Sequence, residues 1–364
     1  MKILHISPSY WPQGGGVEYH LEKLNEQLVA DGHTVSVLTV MPLHDTTIPK
    51  SERHKKVTIV RLPQLNLQKT FINSQREKIH RWFSIFRVLP YIRSAQIVHV
   101  HDVFWWILPF FWLIPGKLYI TFHGYENEFG PSNSQRRWHR LGEILTDGNI
   151  VIGGFHKKWY GVSPDVISYG AIDGDAFRKA GLINSVNKTF HIIFIGRLQA
   201  HTGAKELVQA VAALPQEIKK NISVAIYGQG ELKAELAEKI SAENLPIILK
   251  GFDQNARSYL PNADCICVSQ YLALLEALIV EKPIISYAVS DFKEDVLRMT
   301  PYADALTIVR SPEKMAREIE KIYLAAKSKQ SKKTAELKKA KRWAQAQTWQ
   351  ELALCYYRLW QLKT

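Results

Sequence analysis

Short apolar runs alternate with stretches of helical periodicity along almost the whole chain. Lys2–Ser7, Thr34–Thr39, Val57–Leu62, Ile97–His101 and Leu118–Phe122 read as strands, while Val17, Leu21, Leu24 and Leu28 mark a helix over Val17–Asp31 that stops at Gly32. The alternation restarts in the second half. His191–Ile195, Ser223–Tyr227 and Ile247–Leu249 read as strands, and Ala204–Leu214 and Leu232–Glu243 as helices. Within Asp264–Ser286 an apolar β-rich run (Cys265–Ser269) meets a short polar turn. A helix then starts near Leu272, breaks at Lys282-Pro283 and is followed by a strand, Ile284–Ser286. Strands interleaved with helices predict an α/β protein with parallel, doubly wound sheets.

At 364 residues, a prior of about one domain per 150 residues gives two domains. The pattern places them at residues 1–172 and 173–342, two Rossmann-like halves joined near 170–190 and facing a central cleft. Lys327–Arg342 is rich in lysine, and Trp343–Leu362 follows as an aromatic amphipathic helix. The sequence alone leaves open whether that final segment (343–364) caps its own domain or returns to the first.

A hydrophobic fraction of 46% and a charged fraction of 22% are those of an ordinary globular protein. Cys265, Cys267 and Cys355 offer neither a disulfide framework nor zinc spacing, which predicts buried thiols in a reducing, cytoplasmic setting. MKILHISPSYW reads as a first buried strand rather than a signal peptide. The apolar run Val103–Ile114 is too short to span a bilayer and contains Pro109, and a buried helix accounts for its aromatic part, Phe104–Trp112, better than a membrane-facing surface.

The formal charge of +13 favours partners that carry phosphate. No zinc finger or RNP-like strand points to nucleic acid. The segment 66–93 combines Lys69, Arg76, Lys78, Arg81, Arg87 and Arg93 with Phe71, Trp82, Phe83, Phe86 and Tyr91 against a lone acid, Glu77. Such a helix suits an anionic membrane surface, or packs on its own domain with a solvated basic face.

Candidate chemistry collects at strand ends. Gly14-Gly15-Gly16 follows the first strand and opens a helix, a place where backbone can approach an anion, or simply a turn. His99 alternates inward and reads as core. His101, Asp102 and His123-Gly124 sit at the C-terminal ends of their strands, where ligands gather in open α/β sheets. No nucleophile elbow is visible. Arg197 lies just past a strand in IFIGRLQAHTG, as a ligand group or as a surface ion-pair partner. Gly228 in YGQGE and Phe252 in Lys250-Gly251-Phe252 mark two further glycine-bearing strand ends, which bring backbone to a ligand or merely turn. Glu276 is a single acid among Leu274, Leu275, Ala277 and Leu278, in the helix that starts near Leu272 just after Tyr271.

Taken together, these motifs resemble those of the retaining GT-B glycosyltransferases called group 1 or family 4, over essentially the whole chain. The resemblance implies a nucleotide-diphosphate sugar donor and a last helix that crosses back onto the first domain. It sets Gly15 and Gly16 near the donor phosphates and acceptor, and His123 beside the transferred sugar. Arg197 matches the family arginine that binds the diphosphate, but the lysine position is Thr202, followed by the expected Gly203. Gly228 and Phe252 fall where the family brings backbone to the base. Tyr271, Leu272 and Glu276 fall in the donor clamp, Glu276 as the ribose acid. The family's first acid, eight positions earlier, is Val268, and its Glu-Gly-Phe-Gly loop is missing.

The resulting expectation is transfer of a sugar to a membrane-associated or polysaccharide-precursor acceptor, with retention. No Asp-X-Asp pair stands at a suitable strand end, so neither a metal nor another cofactor is expected. The partners expected are the nucleotide sugar, a glycan or lipid-linked acceptor and an anionic inner-membrane surface, with no nucleic acid. The losses at Thr202 and Val268 keep a rival open, a degenerate homologue acting as a nucleotide-binding or scaffold subunit. A GT-B phosphorylase or epimerase is a further one.

Overall fold

A computed structural model describes residues 1–42, 47–65, 71–124, 127–173, 189–328 and 334–361. The chain divides into two compact units. The first holds residues up to 124, Pro131–Ser168 and the chain from Trp349 onward, and the second holds 127–130 and Tyr169–Thr348. Lys69, Leu362 and most of the 170–190 join lie outside the described residues.

In the first unit the elements run β1 (Lys2–Ile6), α1 (Gly16–Ala30), β2 (Thr34–Val40), β3 (Ser51–His54), β4 (Val57–Leu62), α2 (Phe71–Arg93), β5 (Ile97–His101), β6 (Lys117–Phe122), α3 (Asn133–Leu145), β7 (Gly148–Ile152), α4 (Phe155–Tyr160) and β8 (Val166–Ser168). The sheet order is β3-β4-β2-β1-β5-β6-β7-β8. Every pair is parallel except β3–β4. β1 lies between β2 (Lys2 opposite Thr34) and β5 (Ile3 opposite Ile97). Its ends and those of β5 and β6 therefore sit side by side.

The second unit runs β9 (Phe190–Ile195), α5 (Ala204–Ala213), α6 (Gln216–Lys219), β10 (Ile222–Tyr227), α7 (Lys233–Ala242), β11 (Ile247–Gly251), β12 (Cys265–Cys267), α8 (Tyr271–Ile279), β13 (Ile284–Tyr287), α9 (Asp291–Arg298), β14 (Leu306–Val309), α10 (Pro312–Lys327) and α11 (Thr334–Gln345). Its parallel sheet has the order β11-β10-β9-β12-β13-β14. Both faces are covered. Cys265 and Cys267 join the cluster with Leu207, Val211 and Ile319, while Ile266 and Val268 join that of Leu274, Leu278 and Leu297. This period-two alternation explains why the run is apolar throughout.

Three expectations need correction. Trp343–Leu362 is not one helix: α11 belongs to the second unit and a separate helix, α12 (Trp349–Leu359), to the first. The backbone of Thr348 forms a parallel bridge to Ile172, which interrupts the helical ladder between them. α12 packs on α1, and the Tyr357 hydroxyl donates to the Asp31 carboxylate at 2.6 Å.

Val103–Ile114 is not a buried helix either. Pro109 removes an N–H, and the run forms two 3-10 turns. Phe104 and Trp106 of the first are buried, but Leu108–Leu113 buries nothing and leaves Trp112 70% exposed.

The third correction concerns α2. Arg81 does not lie on its basic face. It is 2% exposed, stacks 4.6 Å over Trp106 and donates to the Pro63 carbonyl at 3.2 Å. Ile85, Leu89 and Ile92 turn inward with it, and Trp82 donates to the Trp105 carbonyl at 2.8 Å. The outer stripe mixes apolar groups with cations: Ile72, Ile79, Phe83 and Phe86 beside Arg76 and Arg87, whose guanidinium lies 4.3 Å over the Phe83 ring.

Candidate active site

In the second unit three strand ends are knitted by main-chain hydrogen bonds. Gly196 donates to Tyr227, Leu198 to Gln229 and Gly228 to Gly251, at 3.1, 2.9 and 2.8 Å. Glycine is required here. A Cβ on Gly228 would stand 1.8 Å from the Gly196 carbonyl oxygen, and one on Gly230 2.3 Å from that of Leu198. Held by this net, Leu198 is buried while Arg197 projects into solvent. Phe252, directly after β11, is 66% exposed.

Thr202 turns the other way. It is 2% exposed, and its hydroxyl donates to the Gln199 carbonyl at 2.8 Å. The proton expected for a diphosphate instead closes the loop ahead of α5. Gly203 follows at φ +90°, where a Cβ would meet that of Tyr287 at 2.7 Å, so α5 sits tight on β13.

Val268, in place of the first acid, is a core residue at 2% exposure. Its N–H donates to Ile285 and its carbonyl accepts from the Ser286 hydroxyl. α8 then starts at Tyr271 with no side-chain cap from Gln270. The Tyr271 hydroxyl donates to the Val296 carbonyl at 3.2 Å and ties α8 to α9. Leu272 is half-buried, with a methyl carbon 3.1 Å from where a Cβ on Gly170 would stand.

Glu276 stands 3.5 Å from Arg257, with 18% of its side chain exposed. Burial pushes its carboxyl above the usual range, and Arg257 pulls it back.

Three polar groups escaped the sequence reading. Arg257 sits in the 3-10 stretch Ala256–Asn262, with no periodicity to link it to Glu276. Lys293, 3% exposed, donates to the Ser269 carbonyl at 2.6 Å. A lysine one turn after the N-cap Ser290 reads as surface, so only the fold reveals its burial. His201 pairs with Glu128 at 2.8 Å; burial lowers its pKa, Glu128 raises it, and Lys293 and Arg197 lower it. Arg197, His201 and Lys293 thus share one electrostatic neighbourhood.

In the first unit Gly15 caps α1 in extended conformation and Gly16 is its first residue. The Glu18 carboxylate, paired with the Ser9 hydroxyl, folds over this end so closely that a Cβ on Gly15 would collide with it. The helix start already faces an anion of its own.

The ends of β1, β5 and β6 bring histidines together. His5 Nδ1 lies 2.8 Å from His101 Nε2, and His101 Nδ1 lies 2.7 Å from His123 Nε2. Asp102 adopts φ +63° and accepts the His123 backbone N–H at 2.8 Å. A second branch joins Trp360, His99, Thr121, Tyr356 and His20. Burial holds His5 down to about 3 and His20 to about 4, and His99, His101 and His123 well below the usual value, with neighbouring imidazoles adding to the effect in all but His20. All five are neutral at physiological pH. Among the described residues no group of three His, Cys, Asp or Glu side chains is arranged to hold a metal ion.

Comparison with known proteins agrees with this architecture. The family described as Glycosyl transferases group 1 matches residues 178–343, and Glycosyltransferase Family 4 matches residues 14–159. The chain belongs to the group 1 / family 4 glycosyltransferases, with the GT-B fold of two Rossmann-like units. The structure of Anabaena HepE in complex with UDP superposes with a TM-score of 0.73 at 13% identity, covering 99% of this chain and 100% of that one. A sucrose-phosphate synthase from Thermosynechococcus elongatus gives 0.72 at 17%, covering 99% and 98%. A glycosyltransferase from Rickettsia africae gives 0.68 at 16%, again covering 99% and 98%. A curated Campylobacter jejuni relative, named as an alpha-1,4-N-acetyl-D-galactosaminyltransferase of a PP-undecaprenol-linked glycan, is 24% identical over 98 residues. That match spans 27% of this chain and 27% of the relative's length.

Proposed function

We infer that the protein transfers a sugar from a nucleotide-diphosphate donor to a glycan or lipid-linked acceptor, with retention and without a divalent metal. The observation that carries this reading is Arg197, solvent-exposed on a loop whose neighbours Gly228 and Gly230 admit no side chain. A guanidinium so placed donates charge-assisted bonds to a diphosphate and takes up the charge that develops as it leaves. Gly228 and Phe252 serve the base, Glu276 the ribose and the first turn of α8, at Tyr271 and Leu272, the donor phosphates. His123 serves the sugar, and Gly15 and Gly16 lie by the donor phosphates and the acceptor.

A lipid-linked acceptor fits the name of the Campylobacter relative and the outer stripe of α2, which presents aromatic rings and cations together as an interfacial helix does. Among the described residues no helix is long and apolar enough to cross a membrane. The protein then works in the cytoplasm, peripherally on an anionic membrane face.

Turnover of UDP-, GDP- and ADP-sugars with lipid-extract acceptors tests the reading, with Arg197→Ala and Glu276→Ala as controls. If no nucleotide sugar binds, the reading fails. A second reading, a nucleotide-binding scaffold, draws on the inward Thr202 hydroxyl and buried Val268, which leave the second unit without the family's lysine and first acid. Binding without turnover would favour it.

A further inference from the structure

We propose that His5 and His101 are positioning residues that hold the His123 ring in a single tautomer, with the proton on Nδ1 and the lone pair of Nε2 bound within the fold. This rests on the reading that gives His123 a place at the sugar. The chain His5–His101–His123 is made of two ring-to-ring hydrogen bonds, 2.8 and 2.7 Å long, with His5 and His101 fully buried. Neutral imidazole has one N–H and one lone pair, so a chain of neutral rings must run in one direction throughout.

Two features set that direction. Among the described residues His5 Nε2 is buried without a hydrogen-bond partner. A buried N–H without an acceptor is the rarer and costlier arrangement, so this atom carries the lone pair and His5 holds its proton on Nδ1. That proton is given to His101 Nε2. His101 in turn gives its Nδ1 proton to His123 Nε2, and the only proton left on the last ring is on Nδ1. The neighbouring branch has its own fixed origin. The Trp360 indole, a donor only, bonds to His99 Nδ1 at 3.0 Å, so His99 carries its proton on Nε2 and gives it to Thr121 at 2.7 Å. Burial keeps protons from entering either branch near neutral pH.

The consequence for chemistry is that His123 acts as a hydrogen-bond donor of fixed orientation and not as a general base. His20 packs edge-on against the ring at 4.9 Å, and Asp102 holds its backbone, so ring and main chain are fixed from separate sides. A donor locked in this way meets a sugar hydroxyl without reorganising.

Nitrogen-15 NMR on the full-length protein with labelled histidine reads the tautomer directly, with the His123 signals identified by their loss in His123→Gln. The expected wild-type pattern is protonated Nδ1 and bare Nε2. His101→Leu cuts the chain and should release His123 into a mixture of tautomers. His101→Asn, whose amide nitrogen replaces Nδ1 as donor, should keep the wild-type pattern. His5→Leu acts from the far end and should also release it, which covers the case in which one leucine variant does not fold. In turnover, His101→Leu should lower kcat about tenfold to a hundredfold with KM little changed, and His101→Asn should recover most of it. A wild-type His123 protonated on Nε2, or a pattern unmoved by both leucine variants, overturns the proposal. If the tautomer responds as expected but His123→Ala turns over normally, the positioning stands and the role of His123 at the sugar falls.

Discussion

The Glu276 carboxylate lies 3.5 Å from the Arg257 guanidinium, and the two answer different demands. Burial favours the protonated acid, while Arg257 favours the carboxylate, the form that the proposed bond from a ribose hydroxyl would require. The folded protein holds this proton more tightly than the unfolded chain does. Its contribution to stability is therefore full at low pH and lost as pH climbs through the raised value. If Glu276 holds the ribose as proposed, nucleotide binding should run the opposite way and weaken as pH falls into that window. Calorimetric UDP titrations should show this loss at a higher pH than a free glutamate would give, and Arg257→Met should move it higher still. Glu276→Gln should weaken UDP binding at neutral pH by about tenfold to a hundredfold, the range of a hydrogen bond to a charged group at about 1.5–3 kcal/mol. Its thermal midpoint at pH 7 should hold or rise. An affinity unchanged in the glutamine variant would remove Glu276 from the site.

Arg197 is exposed and its loop is held by main-chain bonds, so its side chain contributes little to folding. Arg197→Ala should melt as the wild type does. Its kcat should fall by about a hundredfold to a thousandfold, as when one donor to a developing anion is lost. Arg197→Lys should recover part of this, since lysine keeps the charge without the planar fork. A large drop in melting temperature would recast Arg197 as structural.

Gly228 tests the net itself. An added methyl would stand 1.8 Å from the Gly196 oxygen, and backbone cannot yield as a flexible side chain does. Gly228→Ala should cost about 2–3 kcal/mol in urea denaturation and displace Arg197 as well. Gly14, with nothing within 4 Å of an added Cβ, is the control, and Gly14→Ala should fold normally. Equal stability of the two variants would show that the loops rearrange freely.

The architecture was legible because its strands are continuous apolar runs and its helices keep one periodic face. α1, β5 and β10 fall within a residue or two of their predicted bounds, and α8 starts one residue early and ends before the expected break. The last helix was misread because both sides of the break are amphipathic, and what parts them is a main-chain link between 347–348 and Ile172. Arg197 and Glu276 were singled out by their resemblance to the family's motifs, and the variants above test their roles. Arg257, Lys293 and the link from His5 to His101 were not, since each pairs residues from different elements that only the strand order brings together. The inward turn of Thr202 is likewise a matter of loop geometry that residue type alone does not carry.

The outer stripe of α2 yields the last prediction. Ile72, Ile79, Phe83 and Phe86 recur every three, four or seven residues and so share one face, each more than half exposed. Arg76 and Arg87 are exposed beside them, and Arg87 covers the Phe83 ring. Insertion of the rings adds apolar area, while each cation near an anionic surface adds about 1 kcal/mol. The protein should co-sediment with vesicles containing phosphatidylglycerol and much less with phosphatidylcholine alone, and added salt should reverse the binding. Phe83→Ser with Phe86→Ser should weaken binding at every salt concentration. Arg76→Gln with Arg87→Gln should weaken it about tenfold to thirtyfold at low salt and flatten its salt dependence. Arg81→Gln should act differently, lowering stability through the lost Trp106 and Pro63 contacts while leaving the vesicle affinity of the folded fraction unchanged. Binding indifferent to both double variants would return the stripe to the role of a solvated helix face.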